Sequence, residues 1–564
     1  MDLPVEMWLV IACYLRTSEK WSLLGLCKNA CEAVVLGVEA PAGSKVFNRE
    51  QAMAFIRVSI LGQSIWLTGK AGSGKSYVIR AVATAVAQAC GSDSVAICAP
   101  TGTAAKVASV DDMIGTTLHF GFNIRSRKRA RGEPLVQIEN QDAEMTTDET
   151  MHANETGEHM EGGDPNIVEG GAPTCVLDNQ TKKRLRAKKL IVIDETSMAS
   201  SEMIDLVDSA LKKANSSNAP FGGVPIMAVA DFFQLEPVMS MADIQRAGGK
   251  KWAFESDAWA HLRPVQLTKV VRQKDWQYVA VLNRMRVGKT TDEDMHWIKR
   301  HSRKIGSAEL AIFPSNAKCK RRNDLKLASI DSPLITIHAS YDVVQGVRLV
   351  NGRYEMRPLS SQKIEVDRIR WSSADIVKRG PNGEAARLNL KAGCRVRCLR
   401  NIYEGRYGLD RELQTSNGQL GTVTSIDSDH YEVVRVMWDA LGEGGACETA
   451  VHKVAWVCKQ TFKIEGCSVF AISWQVPLAL AAAITIHSAQ GGTFSQHLDV
   501  DPRGMEPVYR LGKKKWIPKP ASAYVAMSRA TCISNVRVLP DFSKDDVAVD
   551  KFVLAYYRRV FGEV

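Results

Sequence analysis

The chain has 564 residues, enough for about four domains at roughly 150 residues each and for a sizeable buried core. Lys and Arg number 73 against 62 Asp and Glu, and the resulting net charge of +11 favours a polyanionic partner. The longest apolar run, Val476–Ile486, is shorter than the ~20 residues of a membrane-spanning helix, so we expect no membrane association.

The cysteines and the N-terminus bear on the compartment. Thirteen cysteines are scattered without a Cys-x-x-Cys motif, which predicts free thiols in a reducing compartment and no zinc site. Met1–Leu15 contains no Lys or Arg, so neither a secretory signal nor a transit peptide is predicted. Apolar residues recur there at helical spacing, and we predict a helical domain over residues 1–40.

Strand-like and helix-like segments alternate from residue 64 onward. The predicted segments are Ile65–Thr68, Lys75–Cys90, Val95–Pro100, Leu190–Ile193, Glu202–Ala214 and Pro225–Ala230. This alternation is typical of an α/β fold in which helices cover a parallel sheet. We predict one such lobe over residues 46–260.

Two basic clusters flank an interruption of this pattern. Glu139–Asp164 holds nine acidic residues and no Lys or Arg, so we predict a disordered acidic insertion over about 132–181. The clusters at 125–131 and 182–189 allow three interpretations: import signals, phosphate-binding patches, or solvated charge runs.

A β-rich pattern lies inside a second α/β unit. The predicted strands are Arg395–Leu399, Asn417–Ile426 and Val433–Trp438, with a turn at Asn417-Gly418. We predict a small β-barrel over 391–474, inserted into a second lobe that comprises 261–390 and 475–545. A C-terminal helix is predicted over 546–564.

Residues 69–76, GKAGSGKS, fit the phosphate-loop motif G-x-x-x-x-G-K-[ST] between a predicted strand and a predicted helix. Lys75 is then placed to meet the β and γ phosphates, and Ser76 to bind Mg²⁺. A glycine-rich loop without function is the weaker alternative, because the flanking elements also agree with the motif. The residues whose backbone N–H groups are predicted to surround phosphate oxygens are Gly69, Ala71, Gly72, Ser73 and Gly74.

A carboxylate pair follows the predicted strand at 190–193. Asp194 is predicted to hold Mg²⁺, and Glu195 to orient or deprotonate the attacking water. Acidic pairs after strands are commonly solvated ends, but the preceding phosphate loop favours the functional interpretation. Together the two motifs predict a nucleoside triphosphatase.

Further short segments occur in a characteristic order along the chain. They are FNREQ at 47–51, APTGTAA at 99–105, TLHF at 117–120, DETSM at 194–198, PFGG at 220–223, DFFQL at 231–235, LTKVVRQ at 267–273, LNRMRVG at 282–288, LKAG at 390–393, NGQLG at 417–421, IHSAQG at 486–491 and AYVAMSRA at 523–530. This order resembles the PIF-type (petite-integration-frequency type) DNA helicases of superfamily one, B branch, over most of residues 47–545.

The resemblance implies two RecA-like lobes with an inserted barrel. It also implies an ATP-dependent DNA helicase that moves 5′ to 3′ on single-stranded DNA and unwinds duplex or structured DNA in genome maintenance. ATP and Mg²⁺ would be the cofactors, and single-stranded and forked DNA the partners of a monomer.

The resemblance further implies roles for single residues. Gln51 would read adenine, Gln234 would sense the γ phosphate, and Gly491 would border the nucleotide. Arg272 would be an arginine finger and Arg529 a second γ-phosphate contact, because the migrating charge spreads over more oxygens than the phosphate loop surrounds. Surface ion pairs are the alternative for both arginines. The residues implied to contact DNA are Pro100, Thr101, Thr103, His119, Phe120 and His487.

Some positions depart from the family pattern. Ser488 replaces the Lys expected after His487, and Ala482 stands where the family often has Trp. Ala230 and Glu236 flank the sensor segment where Gly and Pro are usual. We therefore expect a weaker DNA grip in the second lobe and an intact ATPase centre. Trp66, beside a strand, is assigned to packing.

Leu3–Trp8, followed by Ile11, Leu15, Leu23 and Cys27, resembles an F-box, which implies docking of a Skp-type adaptor through residues 1–40. A helical cap on the helicase is the alternative. Two other functions stay open: a ubiquitin-ligase adaptor with a DNA-binding ATPase body, and a motor directed to RNA or hybrids. The basic clusters favour a nuclear location, with the mitochondrion as the alternative.

Overall fold

The structure is a computed structural model. It describes residues 47–110, 113–125, 174–175, 177–270, 275–303, 308–348, 354–358, 387–400, 402–404, 412–427, 433–440, 445–464, 467–510, 513–539 and 541–562. The described residues up to Arg125, those in Thr174–Cys319 and those from Ala483 onward form one compact unit, and Lys320–Ala482 belongs to another. The predicted helical segment 1–40 lies outside the described residues.

A six-stranded parallel sheet forms the first lobe. Its elements and their neighbours are α1 (Arg49–Phe55), β1 (Ile65–Gly69), α2 (Lys75–Cys90), β2 (Val95–Ala99), α3 (Gly102–Ala108), β3 (Thr116–Thr117), α4 (Leu118–Phe122), β4 (Ile124–Arg125), β5 (Thr174–Cys175), α5 (Asn179–Arg186), β6 (Leu190–Ile193), α6 (Ser201–Asn215), β7 (Ile226–Val229), α7 (Met241–Arg246) and β8 (Arg263–Leu267). The strand order is β3-β2-β6-β7-β1-β8.

Both faces of this sheet are covered, as its nearly continuous apolar strands require. Ile65 and Leu67 of β1 point into the core that α2 covers, and Trp66 between them points into the core on the other face. Trp66 is 1% exposed, so its assignment to packing is confirmed.

The chain then leaves the first sheet and enters the elements α8 (Trp276–Arg286), α9 (Asp292–His301), β9 (Leu310–Phe313) and α10 (Asn316–Ala328). α8 buries Tyr278, Val281, Leu282 and Met285, which recur at the spacing of one helical face. Arg286, at the end of α8, is also buried.

The inserted unit is rich in antiparallel strands. They are β10 (Ile335–His338), β11 (Ser340–Arg348), β12 (Tyr354–Pro358), β13 (Arg387–Leu390), β14 (Arg395–Cys398), β15 (Ile402–Glu404), β16 (Glu412–Thr415), β17 (Leu420–Ile426), β18 (Val433–Trp438), β19 (Cys447–His452), β20 (Val454–Ile464), β21 (Cys467–Gln475) and β22 (Leu478–Leu480). Its largest sheet has the order β19-β18-β17-β14-β22, and a second has the order β12-β11-β21-β20. Closure into a barrel stays a prediction.

The second parallel sheet is assembled after the inserted unit. The remaining elements are β23 (Ala483–Thr485), α11 (Ile486–Ala489), β24 (Leu498–Val500), β25 (Met505–Arg510), β26 (Lys513–Pro518), α12 (Ser522–Ser528), β27 (Val536–Val538) and α13 (Lys551–Phe561). The order β23-β9-β24-β27 is parallel throughout and combines strands from both sides of the insertion. Two parallel sheets confirm the predicted α/β architecture with two lobes.

Three predicted boundaries differ from the structure. β8 pairs with β1, so the first sheet extends beyond residue 260 to Leu267. The strands between 335 and 390 pair within the inserted unit, and so does β22, so this unit spans Lys320–Ala482 and not 391–474. The sequence pattern is β-type both in residues 335–390 and in residues 391–474. Which sheet a strand joins therefore depends on pairing with segments that are far apart in sequence.

The predicted insertion 132–181 also ends earlier than expected. Its residues 132–173 lie outside the described residues, but β5 pairs with β4, and α5 begins at Asn179. Three cations of the basic cluster at 182–189 bind the lobe. Arg184 donates to the carbonyl oxygen of Gly121 (2.9 Å), Lys188 to that of Asp93 (2.6 Å), and Arg186 to that of Ala214. These three cations are therefore held by backbone carbonyl oxygens, and the three interpretations of the cluster stay predictions.

Helix α13 returns to the first lobe. Val553 and Tyr557 are fully buried in the core that contains Trp66. The Trp66 ring lies 5.4 Å from the Tyr557 ring and 5.3 Å from the Phe561 ring, measured between centroids. The predicted C-terminal helix thus exists, and it completes the first lobe's core. None of the helices in the described parts of the chain has the length and apolar character that a membrane span requires.

Candidate nucleotide and nucleic-acid site

The phosphate-loop motif forms the turn between β1 and α2. The turn curls because Gly72 (φ +78°) and Gly74 (φ +88°) adopt left-handed conformations that residues with a Cβ rarely adopt. The Lys75 ammonium donates hydrogen bonds to the carbonyl oxygens of Gly69 (2.8 Å) and Lys70 (3.2 Å). The lysine is thereby held by the loop that precedes it.

Three carboxylates act on Lys75. Burial lowers the pKa of Lys75 below its ordinary value, although the charges of Asp231, Glu195 and Asp194 oppose this shift. Asp194 and Glu195 follow β6, whereas Asp231 follows β7. The carboxyl ends of neighbouring parallel strands thus bring one cation and three acids together, as expected for a ligand site of an α/β sheet.

The carboxylate pair itself is strained and poorly solvated. Glu195 has φ +47°, which is uncommon outside glycine, and its backbone N–H donates to Asp194 Oδ1 at 2.9 Å. Burial, and secondly the charge of Glu195, raise the pKa of Asp194 to about 7. Burial also raises the pKa of Glu195, against the charges of Arg529 and Lys75. Acids with such perturbed pKa values mark candidate functional sites.

The donors at this place fit Mg²⁺. The ion prefers oxygen ligands and is usually held by one or two carboxylates together with substrate phosphates and water. Asp194 supplies a carboxylate, and Ser76 supplies an exposed hydroxyl in the first turn of α2. A divalent cation would relieve the cost that raises the pKa of Asp194. Across the described residues no cluster of three or more His, Cys, Asp or Glu forms a metal cage made of protein alone.

The sensor segment, Asp231–Leu235, leaves the sheet beside β1. Gln234 is 5% exposed, and its Oε1 atom has no hydrogen-bond partner within the described residues. A buried amide oxygen without a partner is costly unless a ligand or water satisfies it. The amide oxygen of Gln234 is therefore suited to accept a hydrogen bond from a water molecule.

A buried ion pair supports this segment. Arg286 of α8 donates from Nη2 to Asp231 Oδ1 (2.7 Å) and from Nε to the same carboxylate (3.1 and 3.2 Å). The guanidinium also lies over the Phe233 ring, 4.2 Å from its centroid. The sequence placed Arg286 in a family segment but gave it no role. An arginine at the end of an apolar helix is ordinarily exposed, so no local signal distinguished it.

Tyr524 joins the same group to the phosphate loop. Its hydroxyl donates to Asp231 Oδ2 and accepts from the backbone N–H of Ala71, both at 3.3 Å. Tyr524 lies in α12 among the elements of the second parallel sheet, whereas Ala71 lies in the first lobe. The phosphate loop, the sensor segment and the second lobe therefore share one hydrogen-bonded network.

The structure describes Arg529 but not Arg272, the two arginines that were predicted to contact the γ phosphate. Arg529 is 6% exposed and donates to the carbonyl oxygens of Val525 (3.0 Å) and Gly492 (3.1 Å). The positive charge of Arg529 lowers the pKa of Glu195 and so stabilises the ionised form of that carboxylate. A Cβ at neighbouring Gly491 would lie 4.0 Å from Glu195 Oε1. Arg272 lies outside the described residues, and its role stays a prediction.

Gln51 connects the start of α1 to the phosphate loop. Asn48 and Gln51 form a capping box in which Gln51 Oε1 accepts from the Asn48 backbone N–H at 3.1 Å. Gln51 Nε2 donates to the carbonyl oxygen of Ser73 at 3.3 Å. The side chain keeps one amide hydrogen for another acceptor. Its predicted reading of adenine stays a prediction.

The residues predicted to contact DNA in the first lobe follow two paired strands. β2 pairs with β3 at Ala99 and Thr117, so the segments after both strands leave the same edge of the sheet. Pro100 and Thr101 are half-buried there, and Thr103 lies in α3. On α4, His119 is half-buried and Phe120 is 42% exposed. An aromatic ring presented at a sheet edge suits base stacking.

A cation lies beside two of the predicted aromatic contacts, Phe120 and His487. The Arg184 guanidinium lies 5.8 Å from the Phe120 ring centroid. In the second lobe, Lys519 Nζ lies 3.3 Å from His487 Nε2. Ser488, which replaces the expected Lys, shares a hydrogen bond with Thr485 at 2.9 Å between the hydroxyl oxygens. Lys519 therefore places a positive charge close to the position where the family has one.

Comparison with known proteins finds sequences that are similar to this chain. A family model described as an AAA domain matches residues 46–306. The ATP-dependent DNA helicase PIF7 of Trypanosoma brucei brucei is 26% identical over 550 residues, which are 91% of this chain and 48% of that protein. The ATP-dependent DNA helicase Pif1 of Bdellovibrio bacteriovorus is 26% identical over 507 residues, which are 89% of each chain.

The fold also matches solved structures. The Bacteroides Pif1 helicase in complex with ADP-AlF3 and single-stranded DNA aligns with 92% of this chain and 98% of its own length, with a TM-score of 0.60 and 22% identity. At this identity the match supports the fold. The chain spans about half the length of the trypanosome relative and nine-tenths of the bacterial one.

Proposed function

We propose that this chain, whose motifs resemble those of the PIF-type helicases, uses ATP hydrolysis to move along single-stranded DNA and to unwind duplex or structured DNA. The observation that carries the proposal is the convergence on Lys75. Carbonyl oxygens of the phosphate loop accept hydrogen bonds from Lys75, and the charges of the acids after β6 and of Asp231 after β7 raise its pKa against burial. Arg529, directly after α12, lowers the pKa of Glu195. A nucleotide at Lys75 would thus touch elements of both parallel sheets.

The chemistry follows from the positions of these groups. The loop N–H groups and Lys75 would bind the phosphates of ATP, and Glu195 would take a proton from the attacking water. Gln234 would hold that water through its buried amide oxygen. Mg²⁺, bound by Ser76 and Asp194, would neutralise charge on the β and γ phosphates.

Two arginines would complete the reaction. The charge of Arg529 lowers the pKa of Glu195, and Arg272 is the predicted finger that the family resemblance implies. Charge that develops on the γ phosphate is stabilised by donors that are already oriented. Loss of the γ phosphate would weaken contacts that join the two lobes, and this change would drive stepping along a strand.

The proposed DNA track begins at the sheet edge after β2 and β3. Pro100, Thr101, Thr103, His119 and Phe120 lie there, and the net charge of +11 favours a phosphate backbone. His487 beside Lys519 would provide a contact in the second lobe. The proposed direction, 5′ to 3′, rests on the family resemblance.

The test is ATP hydrolysis with and without single-stranded DNA. We expect the wild-type protein to be stimulated by DNA, and Lys75→Ala to lower the stimulated rate by at least about a hundredfold because the phosphate-binding ammonium is lost. Lys212→Ala, which removes a lysine from an ion pair on α6, is the control for loss of charge. A Lys75→Ala protein with wild-type DNA-stimulated hydrolysis would overturn the proposal.

Competing strands distinguish the nucleic acids. ATP hydrolysis is measured with DNA, RNA and hybrid oligonucleotides of matched sequence and length. The proposal predicts that DNA stimulates hydrolysis most. Equal or stronger stimulation by RNA would favour the RNA-directed motor instead.

Other expectations stay predictions within this proposal. Docking of a Skp-type adaptor on residues 1–40 is tested by pull-down of the intact chain and of a chain without those residues. Monomeric DNA binding is tested by light scattering, and the nuclear location by imaging of a tagged protein.

A further inference from the structure

The C-terminal segment connects the second lobe to the core of the first. The carbonyl oxygen of Ala548 accepts from the backbone N–H of Ala521, which immediately precedes α12. A Cβ at Gly288, after α8, would lie 2.8 Å from Val549. α13 then begins at Lys551, capped by Asp550, and buries Val553 and Tyr557 among first-lobe residues.

The Tyr557 hydroxyl stands between the two segments that line the candidate ATP site. It lies 2.8 Å from the Thr68 hydroxyl oxygen and accepts from the backbone N–H of Phe232 at 3.2 Å. Thr68 immediately precedes Gly69, where the phosphate loop starts. Phe232 lies two residues before Gln234 in the sensor segment. One hydroxyl thus joins the two parts of the site through buried hydrogen bonds.

The Tyr557 ring makes a separate set of contacts. Its centroid lies 4.5 Å from that of Phe233 and 5.5 Å from the Arg286 guanidinium carbon. These contacts belong to the ring and do not require the hydroxyl. The two roles of Tyr557, packing and hydrogen bonding, can therefore be separated by a single oxygen atom.

We propose that the Tyr557 hydroxyl is a positioning group for ATP hydrolysis, holding the start of the phosphate loop at a fixed distance from the segment that carries Gln234. The inference rests on the proposed function. Catalysis by oriented groups is sensitive to small displacements, since misplacement of about 1 Å can cost roughly a hundredfold in rate. A residue of the C-terminal helix, outside the family motifs of the sequence, would thus control turnover.

A matched pair of variants tests the proposal. Tyr557→Phe removes the hydroxyl and keeps the ring. Tyr556→Phe removes the neighbouring hydroxyl, which accepts from Trp259 Nε1 at 3.1 Å and contacts neither Thr68 nor Phe232 in the described hydrogen bonds. Tyr557→Phe loses two hydrogen bonds of the helix and Tyr556→Phe loses one, so a purely structural role predicts a lower thermal midpoint and an unchanged kcat for both.

The readout is the separation of kcat from KM in DNA-stimulated ATP hydrolysis, together with the thermal midpoint. We expect Tyr557→Phe to lower kcat about tenfold, with KM for ATP within about twofold of wild type, because binding groups stay and only alignment is lost. Tyr556→Phe should keep the wild-type kcat. Equal kcat values for wild type and Tyr557→Phe would overturn the proposal.

Thr68→Val breaks the same contact from the strand side and covers the case in which Tyr557→Phe does not fold. It should lower kcat to a similar degree, and the double variant should be no slower than the slower single variant. A Thr68→Val protein with wild-type kcat would contradict the proposal, and so would fully additive effects in the double variant. Absence of DNA-stimulated hydrolysis from the wild-type protein would instead refute the proposed function, which keeps the two failures distinct.

Discussion

Arg286 and Asp231 form a bidentate ion pair in which the two side chains are only 1% and 0% exposed. Arg286 ends a helix that precedes the second parallel sheet, and Asp231 follows a strand of the first. Burial raises the pKa of an isolated carboxyl, but the charge and hydrogen bonds of Arg286 outweigh burial and hold the pKa of Asp231 below its usual range. The pair therefore joins the lobes beside the sensor segment.

Breaking this pair should be costly in a manner that depends on pH. In Arg286→Met, burial would raise the pKa of Asp231, so the lost stability grows as pH rises through that value. We expect a loss of roughly 3 kcal/mol at pH 8 and less at pH 5, because a buried charge is left without its main partner. The double variant Asp231→Asn/Arg286→Met should recover most of the stability that Arg286→Met loses.

Thermal unfolding of the three proteins at both pH values checks this expectation. In the wild-type protein the depressed pKa of Asp231 means that its contribution is present above the unfolded-state pKa and is lost only as pH falls below about 4. A stability of Arg286→Met within about 0.5 kcal/mol of wild type at pH 8 would contradict the account.

Gln234 gives a test of water orientation. Its buried Oε1 lacks a partner among the described residues, so Gln234→Ala should leave nucleotide affinity nearly unchanged. The same substitution should lower kcat for ATP roughly a hundredfold, because a donor or acceptor aimed at the reacting group is lost. Gln245→Ala, at an exposed position of α7, is the control. Steady-state kinetics and nucleotide titration separate the two quantities, and loss of affinity alone would argue against a sensor role.

We expect the ionised Asp194 side chain to lower the stability of the folded protein when no metal or nucleotide is bound. Because burial raises its folded-state pKa to about 7, its stabilising effect is present below the unfolded-state pKa and disappears as pH rises through about 7. Asp194→Asn cannot ionise, so without nucleotide or metal it should be more stable than wild type at pH 8, by at least roughly 1 kcal/mol, and by less at pH 5 because the difference develops between the unfolded-state pKa and about pH 7. Thermal midpoints at the two pH values measure this. A variant less stable than wild type at pH 8 would contradict the burial argument.

Phe120 tests the proposed DNA track. Phe120→Ala should weaken binding of a single-stranded oligonucleotide about tenfold, since stacking of one base contributes about 1–3 kcal/mol. Phe552→Ala removes an aromatic ring that is comparably exposed on α13 and should bind DNA as wild type does. Fluorescence anisotropy at fixed salt gives both affinities. Equal losses for the two variants would mean that exposure alone, and not position, accounts for the effect.

Local sequence patterns predicted the elements around the phosphate loop closely. The predicted helix Lys75–Cys90 and strand Leu190–Ile193 have the observed bounds. Glycines mark both ends of that helix, and β6 is a short apolar run followed by acids, so turn chemistry and periodicity agree at these places. The motif spacing likewise identified Lys75, Asp194 and Glu195, which the structure brings together.

Contacts between distant segments could not be predicted in the same way. Arg286 and Tyr557 lie on helices that bury one face, and Tyr524 lies on a helix that is buried on all sides. Only the folded chain shows that the three residues meet near Asp231 and the phosphate loop. Likewise, strands beyond residue 330 have similar patterns whether they join the inserted unit or a lobe. The sheet that a strand joins depends on pairing between segments far apart in sequence, and the local periodicity of apolar residues does not predict that pairing.

Strand displacement tests the central claim most directly. A duplex with only a 5′ single-stranded overhang and a duplex with only a 3′ overhang are each mixed with the protein, ATP and Mg²⁺, with Lys75→Ala as the inactive control. The account predicts separation of the 5′-overhang duplex by the wild-type protein alone. Failure to separate that duplex, or equal separation by Lys75→Ala, would contradict it.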